Sequence, residues 1–201
     1  MTPTTVPWTA GRWTTPPPAV RERDTWLVVD AAQGSDYWRQ TLYGFTHDSG
    51  HGLLAPWPED SAVEVTFRLD GFSARYDQAG LLLWDTPTRW IKAGVEINDG
   101  VPHLGAVVTD DHSDWSLAPV PDWAGETITV RASRAADAVI LRARTDDRPW
   151  RTIRVSRFAP GAPAQAGPFT CAPTRSGLTV VFTRWRHTAP DQDLHLDPPT
   201  D

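Results

Sequence analysis

Arg89-Trp90-Ile91-Lys92-Ala93-Gly94-Val95-Glu96-Ile97-Asn98-Asp99-Gly100 is the stretch whose reading decides the fold. With a period of two, Ile91, Ala93, Val95 and Ile97 fall on one apolar face. Trp90, Lys92, Gly94 and Glu96 fall on the other. Alternate side chains of a strand point to opposite faces, so this is a half-buried strand with a chemically loaded outer face. Asn98-Asp99-Gly100 then turns the chain, because both central residues of a type I′ turn need positive φ and Asp-Gly suits them.

Working outward, Val63 to Leu69 alternates apolar Val63, Val65, Phe67 and Leu69 with Glu64, Thr66 and Arg68, a second clear strand. Tyr76 to Trp84 is more apolar and so more central. Leu104 to Thr109 follows the Asp99-Gly100 turn, and Asp110 to Ser116 reads as a polar loop. Trp26–Asp30, Thr127–Ser133, Ala138–Arg144, Trp150–Phe158, Gln165–Cys171 and Leu178–Arg186 complete the set. Many short strands at even spacing, with turn signals and no convincing amphipathic helix, predict an all-β, two-sheet antiparallel sandwich or jelly roll. Residues 1–24 are rich in Pro and read as an extended lead-in, with Trp8 and Trp13 pinned to the body. Residues 25–187 form the sandwich domain. Residues 188–201 are acidic and Pro-rich and read as a disordered tail.

The bulk composition narrows the function. Net charge is −6, which disfavours nucleic acid and anionic membranes as partners. No apolar run reaches about eighteen residues, and the N-terminus lacks the basic start and apolar stretch of a signal peptide. A single cysteine, Cys171, excludes an intramolecular disulfide and carries no local signal of a nucleophile. A soluble, cytoplasmic protein fits. No cofactor or metal signature is present, and His47 and His51 lack a nearby third ligand. Eleven tryptophans raise the expectation of a ligand groove.

The candidate site residues cluster on the outer face of the central strand. Lys92 is the only lysine beside 18 arginines. Arg has a planar fork and stays charged; Lys is a compact point charge whose pKa moves when desolvated. Lys92 and Glu96 lie four residues apart, so their Cα atoms are about 13 Å apart in a strand. Gly94 between them leaves either the floor of a small pocket or a site for close packing. Trp90, Gln78, Trp38 and Trp115 offer stacking surfaces and an amide for a polar ligand. Arg39, Asp114 and Arg134 are candidates to add charge to the same groove.

Several blocks then form a familiar series. They are Asp36-Tyr37-Trp38-Arg39, Tyr43-Gly44-Phe45 with Gly50-His51, Tyr76-Asp77-Gln78-Ala79-Gly80-Leu81, Trp90 to Glu96, Val108-Thr109 with Ser113-Asp114-Trp115-Ser116, Val130 to Arg134, and Gly167 to Pro173. In that order they resemble the DUF1349 family, the regulation of enolase protein 1-like proteins, over about Trp13 to Arg186. That family is similar in fold to concanavalin A-like lectins and glucanases. The resemblance implies the two-sheet jelly roll and supplies no reaction.

Three functions are expected to compete. The first is binding of a carbohydrate or small polar metabolite on a concave sheet, through Trp38, Arg39, Gln78, Trp90, Lys92, Glu96, Asp114, Trp115 and Arg134. The second is an enzyme, such as an isomerase, lyase or hydrolase on a carbohydrate-like substrate, with Lys92 and Glu96 as its acid–base residues. Glycoside hydrolysis usually needs two carboxyl groups about 5 to 9.5 Å apart. Gly94 and Asn98 flank Glu96 on its own face, so a partner has to come from elsewhere, with Asp77 and Asp114 as candidates. The third is a protein-binding metabolic regulator, by analogy with the family name. Oligomeric state is not fixed by the sequence.

Overall fold

A computed structural model describes residues 2–146, 148–158 and 164–198. Residues 199–201 of the expected tail, Met1 of the lead-in and Asp147 in the turn after the Ala138–Arg144 strand lie outside the described residues. In chain order the first strands are β1 (Thr4–Thr5), β2 (Arg12–Trp13), β3 (Ala19–Arg23), β4 (Trp26–Asp30), β5 (Tyr37–Arg39) and β6 (Thr46–Asp48). Then come β7 (His51–Pro56), β8 (Ala62–Arg68), β9 (Gln78–Thr86), β10 (Arg89–Asn98), β11 (Val101–Asp110) and β12 (His112–Pro119). The series ends with β13 (Thr127–Ala135), β14 (Ala138–Thr145), β15 (Arg151–Arg157), β16 (Gln165–Cys171) and β17 (Thr179–Thr188).

Two antiparallel sheets pack face to face, as the strand spacing predicts. One has the order β15-β14-β13-β8-β17-β4-β3, with β1 also paired to β17; the other has the order β12-β11-β10-β9-β16-β7-β2. β5 and β6 form a separate hairpin. Between the sheets lie Val63, Val65 and Phe67 of β8, Leu81 and Leu83 of β9, and Ile91, Ala93 and Val95 of β10. Burial of each large apolar side chain contributes about 1.5–3 kcal/mol. The Asp99-Gly100 turn has φ of 50° and 78°, the two positive values that a type I′ turn requires. No described helix is long and apolar enough to cross a membrane.

Three sequence readings need correction. Asp110 to Ser116 is not a loop: only the turn at Asp111 (φ 58°) separates β11 from β12. Its polar composition hid a period of two, in which Ser113, Trp115 and Leu117 share one face. The lead-in is extended and Trp8 stacks on the buried Trp185 at 6.1 Å, as expected, but it is not a separate segment, because β1, β2 and β3 add to the sheets. The segment after Thr188 is not disordered where it is described. Asp191 inserts between Arg131 and Arg142 on the outer face of the β8-containing sheet, at 2.7 and 2.9 Å. Low hydrophobicity concealed an anchor made of charge rather than apolar burial.

Candidate functional site

The outer face of the second sheet is built from three cross-strand rows. Cys171, Gln78, Glu96 and His103 form one row; Phe169, Gly80, Gly94, Gly105 and Leu117 the next; Gly167, Leu82, Lys92, Val107 and Trp115 the third. The three glycines in the middle of the second row form a crease with no side chains, flanked by Phe169 and Leu117, and it separates Lys92 from Glu96. A Cβ on Gly94 would sit 2.2 Å from the Ala79 carbonyl oxygen and 2.8 Å from Gly80 Cα. Gly94 therefore both permits close strand packing and leaves the space above it empty. Gly94→Ala is expected to lose about 1–3 kcal/mol or more by overpacking, read as a lower urea midpoint.

The β5–β6 hairpin covers part of this face. Tyr37 drives into it and meets Trp90 at 5.6 Å, with Phe169 and Trp84 each at 6.3 Å. Its hydroxyl donates to the Gly50 carbonyl at 2.7 Å. Together with Leu54, Leu82, Val107 and Cys171 these rings make a second apolar cluster, outside the main core. The Arg39 backbone N–H donates to Ser113 Oγ at 2.9 Å and ties the hairpin to β12.

Asp36, just before β5, is thereby placed over Lys92. Lys92 Nζ donates to Asp36 Oδ1 and to Gln78 Oε1, both at 2.9 Å. The Gln78 amide reaches Asp36 at 3.4 Å, and the Tyr37 backbone N–H donates to it at 2.8 Å. Burial, the largest single influence, disfavours the ammonium charge, but the opposing interactions, led by Asp36 and joined by Glu96, together hold the Lys92 pKa above its ordinary value. Lys92 is thus a fixed ammonium with one N–H left to offer, not a neutral amine.

A cleft of about 470 Å³ opens over this floor. Asp36, Gln78, Lys92 and Glu96 supply its polar side; Trp38, Tyr43, Phe45 and Trp115 supply an aromatic wall. Trp38 meets Trp115 edge-on at 6.3 Å, and Tyr43 stacks on Phe45 at 5.2 Å. His47, Arg75, Tyr76, Pro173 and Thr174 complete the rim.

The predicted site residues therefore divide. Trp38, Gln78, Lys92, Glu96 and Trp115 come together in the cleft. Trp90 shares the outer face but is fully buried under Tyr37. Arg39 pairs with Asp48 at 3.0 Å instead of pointing at the floor. Asp114, on the opposite face of β12 from Trp115, pairs with Arg154 at 3.0 Å. Arg134 belongs to β13 in the other sheet and lies over the Trp57 ring. Asp77 receives Arg175 at 2.7 Å and the N–H groups of Ser73 and Ala74, so it holds a loop together. Asp36, Tyr43 and Phe45 were missed as site residues. The one signal for Asp36 was indirect: a buried lysine needs a carboxylate. His51 uses both ring nitrogens on backbone partners, Thr15 O and Ala32 N–H.

Comparison with known proteins fits this architecture. The family model described as a protein of unknown function (DUF1349) matches residues 13–190. The chain belongs to the DUF1349 family. Regulation of enolase protein 1 of Saccharomyces cerevisiae is 34% identical over 181 residues, covering 90% of each chain. A crystal structure of a functionally unknown protein from Saccharomyces cerevisiae matches this DUF1349 chain with a TM-score of 0.84 at 30% identity, covering 92% of this chain and 99% of the other. The GH43 protein BlXynB of Bacillus licheniformis, in a K247S mutant form, has a TM-score of 0.71 at 12% identity, with 92% of this chain on 38% of that one. The carbohydrate-binding module CBM66 of Bacillus subtilis has a TM-score of 0.56 at 11% identity, covering 89% and 96%. At such low identities the last two show a shared fold.

Within the DUF1349 fold, Glu96 is the group with unspent chemistry. Its Oε1 is shut off from solvent and has no hydrogen-bond partner among the described residues. Burial pushes its pKa up to about 7, against the opposing pull of Lys92. A carboxyl whose pKa is raised in the folded state stabilises the fold fully below its unfolded pKa, and that stability is lost as pH rises through about 7. After allowance for its partial exposure the effect is about 2 kcal/mol. Glu96→Gln is expected to match wild type in thermal midpoint at pH 5 and to exceed it by several degrees at pH 8.

Proposed function

We propose that the cleft binds a carbohydrate or a similarly hydroxylated small metabolite. The observation that carries this reading is the pairing of an aromatic wall, Trp38, Tyr43, Phe45 and Trp115, with a polar floor of Asp36, Gln78, Lys92 and Glu96 in one cleft. A sugar ring presents C–H faces that stack on aromatic rings and hydroxyl edges that need donors and acceptors. The fold shared with a carbohydrate-binding module and a GH43 protein supports the reading. A thermal-shift screen over neutral sugars, sugar phosphates, uronates and small organic acids tests it. A class that stabilises wild type but not Trp115→Ala or Lys92→Ala is the expected result; flat responses across the panel overturn it.

One observation favours turnover as a second reading. Glu96 has a pKa of about 7 beside the cleft, where a general acid or base works best near neutrality. Lys92 takes no proton-transfer role in it, since Asp36 and Gln78 hold its ammonium. In this reading Glu96→Gln abolishes product formation from a sugar that still binds.

A further inference from the structure

The glycine crease also holds a notch of about 20 Å³, lined by Gly94, Gly105, Phe169 and Leu117 and sharing Lys92 and Glu96 with the open cleft. That volume admits one water-sized group, since a site for a single water needs about 10–15 Å³. The notch exists because the adjacent strands β10 and β11 carry no side chain there, at Gly94 and Gly105; a Cβ on either would meet a neighbouring backbone oxygen at 2.2 Å. Among the polar side chains lining it, Lys92 and Glu96 are complementary. Lys92 Nζ spends two of its three donors on Asp36 and Gln78. Glu96 is acceptor-rich and partly unpaired.

Resting on the carbohydrate reading above, we propose that this notch is the anchoring subsite for an uncharged sugar. A single ring hydroxyl enters the crease, donates to the Glu96 carboxylate and accepts the remaining N–H of Lys92. An anionic ligand group does not suit it. The Lys92 charge is already met by Asp36 at 2.9 Å, and a carboxylate or phosphate would face both Asp36 and Glu96. Arg75, the other cation lining the cleft, is exposed and lies over the Tyr76 ring.

Binding in this mode is linked to a proton. The groups facing Glu96 are Lys92 on its own strand, Gln78 on β9, His103 on β11, Asp36 before the hairpin and Arg75 before β9. A hydroxyl donated to the carboxylate favours the ionised form, so ligand uptake displaces a proton and affinity rises with pH through about 7.

Isothermal titration at pH 6 and pH 8 tests this, with glucose, xylose, arabinose and fructose as neutral probes and glucuronate and glucose 6-phosphate as anionic ones. The variants are Glu96→Gln, which keeps the side-chain shape, and Trp115→Ala. The expected result is a neutral sugar that binds wild type up to about tenfold tighter at pH 8 than at pH 6. Glu96→Gln is expected to weaken it about tenfold at pH 8 and to remove the pH dependence. Tighter binding of an anionic probe overturns the subsite. Equal binding of a neutral sugar by wild type and Glu96→Gln, with loss in Trp115→Ala, overturns the subsite and leaves the cleft reading standing. No binding of any probe to wild type overturns both.

Discussion

Asp191→Ala is expected to lower stability by about 3–5 kcal/mol, the usual loss when one partner of a buried ion pair is removed. Asp191 and Arg131 are each 1% exposed as side chains. Arg131, Arg142, Glu64 and Arg186 stand side by side across four strands, and Asp191 is the second carboxylate among three guanidinium groups. Without it Arg142 keeps, among the described residues, Thr152 and the Asp193 and Leu194 carbonyls as partners, and those carbonyls belong to the segment that Asp191 anchors. At about 2–4 °C per kcal/mol for a chain of this size, the thermal midpoint should fall by about 10 °C. A shift of a degree or less would mean that the C-terminal segment is not part of the fold.

Asp36→Ala should cost about 3 kcal/mol for a related reason. Lys92 is 6% exposed as a side chain and would be left with Gln78 as its one acceptor among the described residues. Leaving an uncompensated buried charge is far more destabilising than removing the pair together. The double variant Asp36→Ala/Lys92→Met should therefore recover most of the loss, and the non-additivity measures the coupling. Ligand binding stays absent in both, because the floor of the cleft is gone. If Asp36→Ala and Lys92→Met were simply additive, the ion pair would not organise the site.

Period-two reasoning carried far in this chain, because it depends only on strand geometry. It placed Lys92, Gly94 and Glu96 on one face and Gln78 with Gly80 on one face of the next strand; the pairing brings the two sets together. It would also have placed Trp115, had the stretch after Asp110 been read by alternation instead of polarity. Parity does not say which sheet a strand joins, so Arg134, a candidate to add charge to the groove, lies in the other layer. Nor does it show what covers a face. Trp90 has the right parity and is still removed from the cleft, because Tyr37 arrives from a hairpin some fifty residues away in sequence. Asp36 comes with that hairpin, and only tertiary docking puts it over Lys92. The aromatic wall is equally non-local: Tyr43 and Phe45 come from the hairpin's connecting segment, Trp115 from β12.

Saturation-transfer-difference NMR of neutral monosaccharides tests the cleft most directly, since it reports which ligand protons lie against the protein. The expected result is transfer to the C–H face of at least one sugar in wild type, lost in Trp115→Ala while the variant's thermal midpoint stays within a few degrees. Transfer of equal strength in wild type and Trp115→Ala, or none to any sugar in wild type, would contradict a carbohydrate site between the aromatic wall and the Lys92 floor.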